Sequence, residues 1–427
     1  MKKKDIYDFL KGLLPDKIRI VLSIVKRQIQ NIAESVLLVR GWYWKRHNRI
    51  KSNESVSVCF VTVEPQTWNS LKPVYDAMKK DDRFNPVIIT VPNKDGVKEM
   101  KHFLEEANYE MIDAFENENV LDIRTFSPDI IFIQTPYDWM YPIQYRMRNL
   151  VRIARIFYIP YGYGLSKEEH FKIGYSKHFL ANISCIFASN MFEYEFCKKK
   201  VSDSIFTKNI KVYDVGYPRF DICKNVIEIQ RNDRLKLKKK LTFTWLPRWS
   251  FDKNQSNKSS FLKYYNVIVD YFKAHSNLRL IVRPHPMMFE NIIKNGLLSD
   301  EKINKIKEEL KYSENMELDE KKDYYETFLE TDVLISDFSS LLAEFYFMEK
   351  PVLYCGEYAG CNSIADDMLK EFIRIDSDDK LIYYLNELQD RDFYDKKRCK
   401  VNGIMKNSNS DASKKIAEVC FDEVRGY

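Results

Sequence analysis

The sequence predicts an α/β protein of two Rossmann-like domains facing each other across a cleft, preceded by an amphipathic helical segment. Three observations carry that expectation. The 427 residues are about three times a common domain of roughly 150. From Val56 onward, short β-branched runs alternate with stretches of helical periodicity, as in parallel sheets with crossover helices. Residues 1–51 differ from all that follows in charge: they carry 13 Lys or Arg against four acids, a net of +9, whereas the rest carries 55 against 58. A hydrophobic fraction of 45%, with 27 Tyr and 27 Phe, supplies a real core and excludes a disordered or collagen-like chain.

In the first segment, Ile18, Val21, Leu22, Val25, Ile29, Ile32 and Val36 step by three or four and line one side of a helix. Lys26, Arg27 and Glu34 interrupt the ~18 apolar residues that a membrane-spanning helix requires. Asp5, Asp8, Lys11, Pro15 and Asp16 break the apolar region of a cleavable signal, so no cleavage is expected. Trp42, Tyr43 and Trp44 next to Lys45, Arg46 and Arg49 suit a lipid headgroup layer. Residues 1–51 are therefore expected to bind an anionic membrane surface, or else to pack on their own protein. Eight scattered Cys without a Cys-x-x-Cys pair disfavour a disulfide framework and a zinc site, and fit reduced thiols in the cytoplasm.

Strands are expected near residues 56–63, 87–91, 130–134, 156–159, 185–188 and 211–215, then near 241–245, 278–282, 333–335 and 352–354. The charged stretch 231–240 reads as a linker. The expected units are the basic helical segment 1–51, a first Rossmann-like domain over 52–222 and a second, with C-terminal helices, over 223–427. No solenoid-length repeat or low-complexity tract is present. Ligands of such folds bind at the C-terminal ends of the strands, between the domains.

Four motifs sit at those strand ends. Ser336-Asp337-Phe338-Ser339-Ser340 opens a helix, where amides and hydroxyls can hold a phosphate. Asp337 either flanks the ligand or orients a neighbouring donor and holds the turn; Glu344, one helical turn in, either bonds a ribose hydroxyl or is simply solvated, with Ser or Asp as an ordinary N-cap. In Arg283-Pro284-His285-Pro286, the prolines fix where the imidazole points, so that it can donate to a phosphate with Arg283 beside it. Pro247-Arg248-Trp249 and Gly216-Tyr217-Pro218-Arg219-Phe220-Asp221 each put an Arg beside a stiffened turn, suited to phosphate or to a salt bridge between domains.

Together these motifs, over about residues 210 to 355, resemble in kind and order the CDP-glycerol glycerophosphotransferase family, which builds teichoic acid and related polymers on GT-B folds. The resemblance implies that His285, Ser336, Asp337, Ser339 and Ser340 line the diphosphate end of a nucleotide donor site. Arg219, Arg248, Arg283 and Glu344 are further candidate substrate contacts. Where the family shows Trp-His-Gly, this chain reads Ile159-Pro160-Tyr161-Gly162-Tyr163-Gly164, so the family's candidate base is absent. Glu64, Asp138 and His170 are the candidate replacements, each near a strand end or the altered motif.

The activity implied is transfer of a polyol phosphate from a CDP-activated donor to a lipid-linked or glycan acceptor, with release of CMP, at the inner face of the cell membrane. No cofactor and no metal is expected. Two alternatives stay open on the same architecture: a glycosyltransferase using a nucleotide-sugar donor, and a non-catalytic nucleotide-binding subunit of a membrane assembly. A dinucleotide dehydrogenase is disfavoured because Lys167 stands where the third glycine would follow Gly162 and Gly164. The slightly acidic body argues against nucleic-acid binding.

Overall fold

The computed structural model describes residues 16–47, 55–116, 119–224, 240–251, 258–356, 361–401 and 411–426. The expected linker, Lys240 apart, lies outside them, as do the first fifteen residues, Arg49 and Lys51. Two parallel sheets carry the fold. The first runs through β1 (Val56–Thr62), β2 (Phe84–Thr90), β3 (Ile112–Asp113), β4 (Ile130–Ile133), β5 (Arg155–Tyr158), β6 (Cys185–Phe187) and β7 (Lys211–Tyr213), in the order β3-β2-β1-β4-β5-β6-β7. The second comprises β8 (Leu241–Leu246), β9 (Leu278–Val282), β10 (Met316–Leu318), β11 (Val333–Ser336), β12 (Val352–Tyr354) and β13 (Ile373–Arg374), in the order β10-β9-β8-β11-β12-β13. Every residue of β1 and β11 is buried, because helices cover both faces of each sheet and leave no place for polar alternation.

Each sheet reverses its strand order once, between β1 and β4 and between β8 and β11. At such a switch point the loops leave in opposite directions and open a crevice. The short edge strands β3, β10 and β13 escape sequence reading, since two or three residues carry no legible alternation.

A single helix, α1 (Asp16–His47), contains all the described residues of the N-terminal segment. Its last third docks on α2 (Lys177–Asn182). Gly41 permits the approach: a Cβ there would stand 1.8 Å from the carbonyl oxygen of Ala181. Lys45 Nζ then donates to the carbonyls of Leu180 and Ile183 at 3.2 and 3.1 Å, and burial lowers its pKa to about 8. Lys177 pairs with Glu34 at 2.7 Å. The packed-helix alternative thus describes the C-terminal part of α1, while Ile18, Val25, Ile29, Ile32 and Val36 remain exposed. Among the described residues no helix is long and apolar enough to cross a membrane.

Two more helices matter for the site. α3 (Leu341–Phe347) follows β11, and α4 (Ala412–Arg425) ends the described chain. Although α4 follows the second sheet in sequence, its Ile416, Ala417, Cys420 and Val424 pack with Val56, Val58 and Phe60 of the first. The expectation that C-terminal helices stay with the second domain does not hold for α4. Arg83 and Arg155 on the first sheet's side fix it, at Glu418 (2.9 Å) and the carbonyl of Glu423 (2.5 Å).

Replacing Gly41 by Leu should force α1 off α2, with a loss of about 1–3 kcal/mol from overpacking. Hydrogen exchange reads this directly: amides of α2 should exchange faster in Gly41→Leu, and unchanged protection would show that the contact holds nothing.

Candidate active site

A cavity of about 1030 Å³ opens between the two sheets, walled by loops from the C-terminal strand ends of both. Glu64, Tyr137, Tyr161 and His170 line it from the first half; Arg248, Arg283, His285, Ser339 and Ser340 line it from the second. The imidazole and the serine hydroxyls, drawn from separate strands, therefore face one space.

Each switch point is closed by a buried side chain. After β4, Gln134 Oε1 accepts the N–H groups of Val63 and Glu64 at 2.7 and 3.0 Å, while its amide donates to the Glu64 carbonyl at 2.6 Å. This clamps the backbone of Glu64 and leaves its half-buried carboxyl in the cleft. After β11, Asp337 does the same for the second sheet: one carboxyl oxygen accepts the N–H groups of Arg248 and Ser260 at 2.8 and 3.0 Å. Gln134 was missed in the sequence because a Gln before a proline-rich loop carries no distinguishing signal; its role appears only when β1 and β4 are seen as neighbours.

His285 sits where β9 ends. Its backbone N–H bonds the Pro247 carbonyl at 3.1 Å, which ties the loop to Arg248 and Trp249. Nδ1 accepts the Met287 N–H at 3.2 Å, so in the neutral ring the proton resides on Nε2, free to donate into the cleft. The enclosing walls and then the nearby Arg248 cation lower its pKa to about 4, so the ring is a neutral donor near pH 7 rather than a cation. Ser339 Oγ accepts the Leu341 N–H at 3.2 Å, and Ser340 is exposed at the mouth of α3. Across the gap a Cβ at Gly162 would stand 3.4 Å from Ser340, so the two loops approach closely there.

Glu64 faces Lys322 from the opposite half, and Lys322 pairs with Glu99. Burial first, then the Glu99 carboxylate, raise the Glu64 pKa; Lys94 and Lys322 oppose them. His170 is exposed on the same cavity. Tyr161, in the altered motif, lines it too, with a phenol pushed up by burial and by Tyr137.

Several expected contacts belong elsewhere. Asp138 lies outside the cleft lining, with its oxygens taken by the Met147 N–H at 2.7 Å and by His178 at 3.0 Å, so it braces α2 instead of facing an acceptor. Ser336 and Asp337 are fully buried, the former donating to the Asp337 carbonyl, and neither offers a surface to a ligand. Glu344 is fully buried as well; Tyr324 donates to it and Arg219 pairs with it at 3.0 Å, so it neither reaches a ribose nor is solvated, contrary to both expectations. Arg219, only 3% exposed at the cleft edge, donates to the Tyr161 carbonyl at 2.7 Å and acts as a strut between the halves. Burial disfavours its cation, but Glu344 and the surrounding tyrosines outweigh that and keep it protonated. Arg283 spends its guanidinium on Asp319 (2.6 Å) and the Lys321 carbonyl (2.6 Å). Burial opposes ionisation of Asp319, yet Thr327, Arg283 and the Lys321 N–H hold its pKa below the usual range. For Arg219 the salt-bridge alternative describes the geometry; Arg283, expected beside the imidazole as a phosphate contact, is held by Asp319 of its own half instead. Lys321 and Lys322, which no motif marked, supply exposed cations to the cleft.

The buried pair predicts a stability asymmetry. Glu344→Leu alone should cost about 3–5 kcal/mol by stranding the Arg219 charge, and adding Arg219→Met should recover most of it. Urea unfolding of both variants tests this, and equal losses would remove the pair from the interface account. The His285 pKa lies below its unfolded value near 6.5, so its stabilising contribution is complete above pH 6.5 and falls as pH drops toward 4. Its ring carbon resonances should titrate near pH 4; a midpoint near 6.5 would contradict the position against the cleft wall beside Arg248.

Comparison with known proteins gives three findings. The model of the family CDP-Glycerol:Poly(glycerophosphate) glycerophosphotransferase matches residues 173–422, more than half of the chain. None of the curated proteins matches it. Solved structures share the fold. The wall teichoic acid polymerase TagF is 13% identical, with a TM-score of 0.54 over 94% of this chain and 97% of its own. The UDP-GlcNAc 2-epimerase from Neisseria meningitidis, bound to UDP-GlcNAc, is 12% identical, with a TM-score of 0.56 over 86% of this chain and all of its own. Both likenesses concern the two-sheet GT-B architecture. With the match running from α2 through both strands of the second switch point to α4, the chain belongs to the CDP-glycerol:poly(glycerophosphate) glycerophosphotransferase family.

Proposed function

We propose that the protein transfers a polyol phosphate, glycerol phosphate or a close relative, from a CDP-activated donor to a hydroxyl of a lipid-linked or glycan acceptor in synthesis of a teichoic-acid-type surface polymer. The observation that carries this reading is the convergence of both switch points on one cleft, with a carboxyl on one wall and a neutral imidazole beside serine hydroxyls on the other.

In this reading the donor diphosphate lies against the second half. His285 Nε2–H and the hydroxyls of Ser339 and Ser340 donate to its oxygens, while Arg248, Lys321 and Lys322 supply positive charge. The acceptor enters from the first half. Its hydroxyl oxygen attacks the distal phosphorus, the bridging P–O bond breaks, CMP leaves, and the acceptor proton passes to Glu64. A raised carboxyl pKa suits that task better than an ordinary one, because base strength rises with it. Tyr161 is unsuited as a base, since its phenol is held protonated; it is better placed to bound the acceptor's path. His170 on the same wall is the second candidate base.

The tyrosine in place of the family's histidine favours one competing reading, sugar transfer from a nucleotide-sugar donor. UDP or GDP release with no turnover of CDP-glycerol would establish it. Binding of CDP-glycerol without turnover would instead favour the non-catalytic assembly subunit. The basic segment 1–51, with Lys26, Arg27 and Arg46 exposed on α1, is proposed to draw the protein electrostatically to the anionic inner face of the membrane, where a lipid-linked acceptor lies.

Purified protein incubated with CDP-glycerol and membranes should release CMP, read by chromatography. Glu64→Gln should lower the rate by about 10²–10⁴. His285→Ala and Ser339→Ala should abolish turnover with the fold intact; wild-type rates in both would end the proposal. Removing the charge at Glu99 (Glu99→Gln) should move the acid limb of the kcat/KM profile to lower pH, because Glu99 helps to hold the Glu64 proton. An unmoved limb would exclude Glu64 as the base.

A further inference from the structure

Between residues 18 and 43, apolar side chains recur at 18, 22, 25, 29, 32, 36, 39 and 43. The steps alternate four and three without a break for more than three heptads, which is the 3.5-residue period of a coiled-coil seam. The whole span lies in α1. Seven of these eight side chains are described, and all seven are 45–63% exposed. Leu38, Gly41 and Lys45, which dock the helix on α2, fall between the seam positions and on the other side. The helix thus holds its own protein by one face and presents the described seam residues on the opposite one, with Ile24 exposed beside them.

We propose that this seam packs against the same seam of further copies of this chain, as a parallel coiled coil that makes the protein a homo-oligomer. The period selects this occupant. A straight helix of 3.6 residues per turn lets a seven-residue repeat drift by ~20° per heptad, and only supercoiling around a partner helix keeps it in line. A helix lying flat in a bilayer surface needs no 3.5 repeat and commonly shows a wider, bulkier apolar face. The steps place Ile18, Val25, Ile32 and Val39 at d positions, and β-branched residues at d shift coiled coils from two strands toward three or four.

The flanks set the direction. Arg19, Lys26 and Arg40 occupy e positions, whereas the g positions hold Val21, Gln28, Ser35 and Trp42. An antiparallel pairing would set e against e and bring cations together; a parallel one sets e against uncharged g. Parallel helices also put all the catalytic bodies at one end, each on an outer face, where α2 already sits. The cations of α1 stay outside the seam, so self-association leaves them available to an anionic surface.

Sedimentation equilibrium of the full chain without lipid or detergent is the test. The wild type should sediment as two or more copies of 51.0 kDa, three or four being expected, and Ile29→Asp/Ile32→Asp should sediment as one. Because both residues are more than 60% exposed within one copy, the double variant should keep the melting transition of the two-sheet body, while any concentration dependence of the wild-type melting should vanish. Val39→Cys, near one end of the seam, should form an intermolecular disulfide with itself under copper-phenanthroline oxidation, since an antiparallel pairing would hold its two copies about 25 Å apart along the axis. A 51.0 kDa mass for the wild type overturns the proposal, as does a double variant that stays oligomeric. Loss of binding to phosphatidylglycerol vesicles in the double variant, with a monomeric wild type, would assign the seam to the bilayer instead.

Discussion

The site depends on two hydrogen-bonded clamps. At each point where a sheet reverses its strand order, the side chain following β4 or β11 reaches across and accepts backbone amides from the loop that follows the neighbouring strand, β1 or β8. Gln134 does this beneath Glu64, and Asp337 beneath Arg248. Both clamping side chains are fully buried, where an amide N–H left without an acceptor costs about 1–3 kcal/mol, so the amides they accept favour this one arrangement of each loop. Asp337 keeps a raised pKa, because burial outweighs its two amide donors and the nearby Arg248. The residues that face the cleft inherit their positions from these two that do not.

A second constraint fixes the halves against each other. Arg219 spans from the Tyr161 carbonyl on one side to Glu344 and Tyr324 on the other. Asn362, at the start of a helix of the second half, donates to the carbonyls of Gly164 and Ser166 at 2.7 and 3.1 Å, and its N–H meets the Leu165 carbonyl at 3.0 Å. The altered Tyr-Gly-Tyr-Gly loop is therefore a shared part. It lines the cleft and also carries the contacts between domains, so a change in its chemistry and a change in domain spacing cannot be separated there.

Most of the fold was legible in the sequence because both sheets are buried on two faces, and buried parallel strands read as continuous β-branched runs. The strands that escaped are edge strands too short to carry a pattern. The site was legible only in part. His285, Ser339, Ser340, Arg248, Glu64 and His170 do line one cavity. Ser336, Asp337 and Glu344 have the right residue types at the right strand end but point inward, since neighbouring positions of a strand and of the helix that follows it face different sides. Residue type cannot reveal that choice, nor that Asp138 would find a helix amide and a histidine before any acceptor. Likewise, a charged side chain beside a stiffened turn looks the same in sequence whether it meets a phosphate or, like Arg283, a carboxylate.

The return of α4 to the first sheet means that the polypeptide passes between the halves twice. Asp221 accepts the amides of Ala412 and Ser413 at 3.1 and 2.8 Å, so the start of α4 is tied to residues that follow the first sheet. The first half is therefore completed only when a helix translated after the whole second half has docked on it.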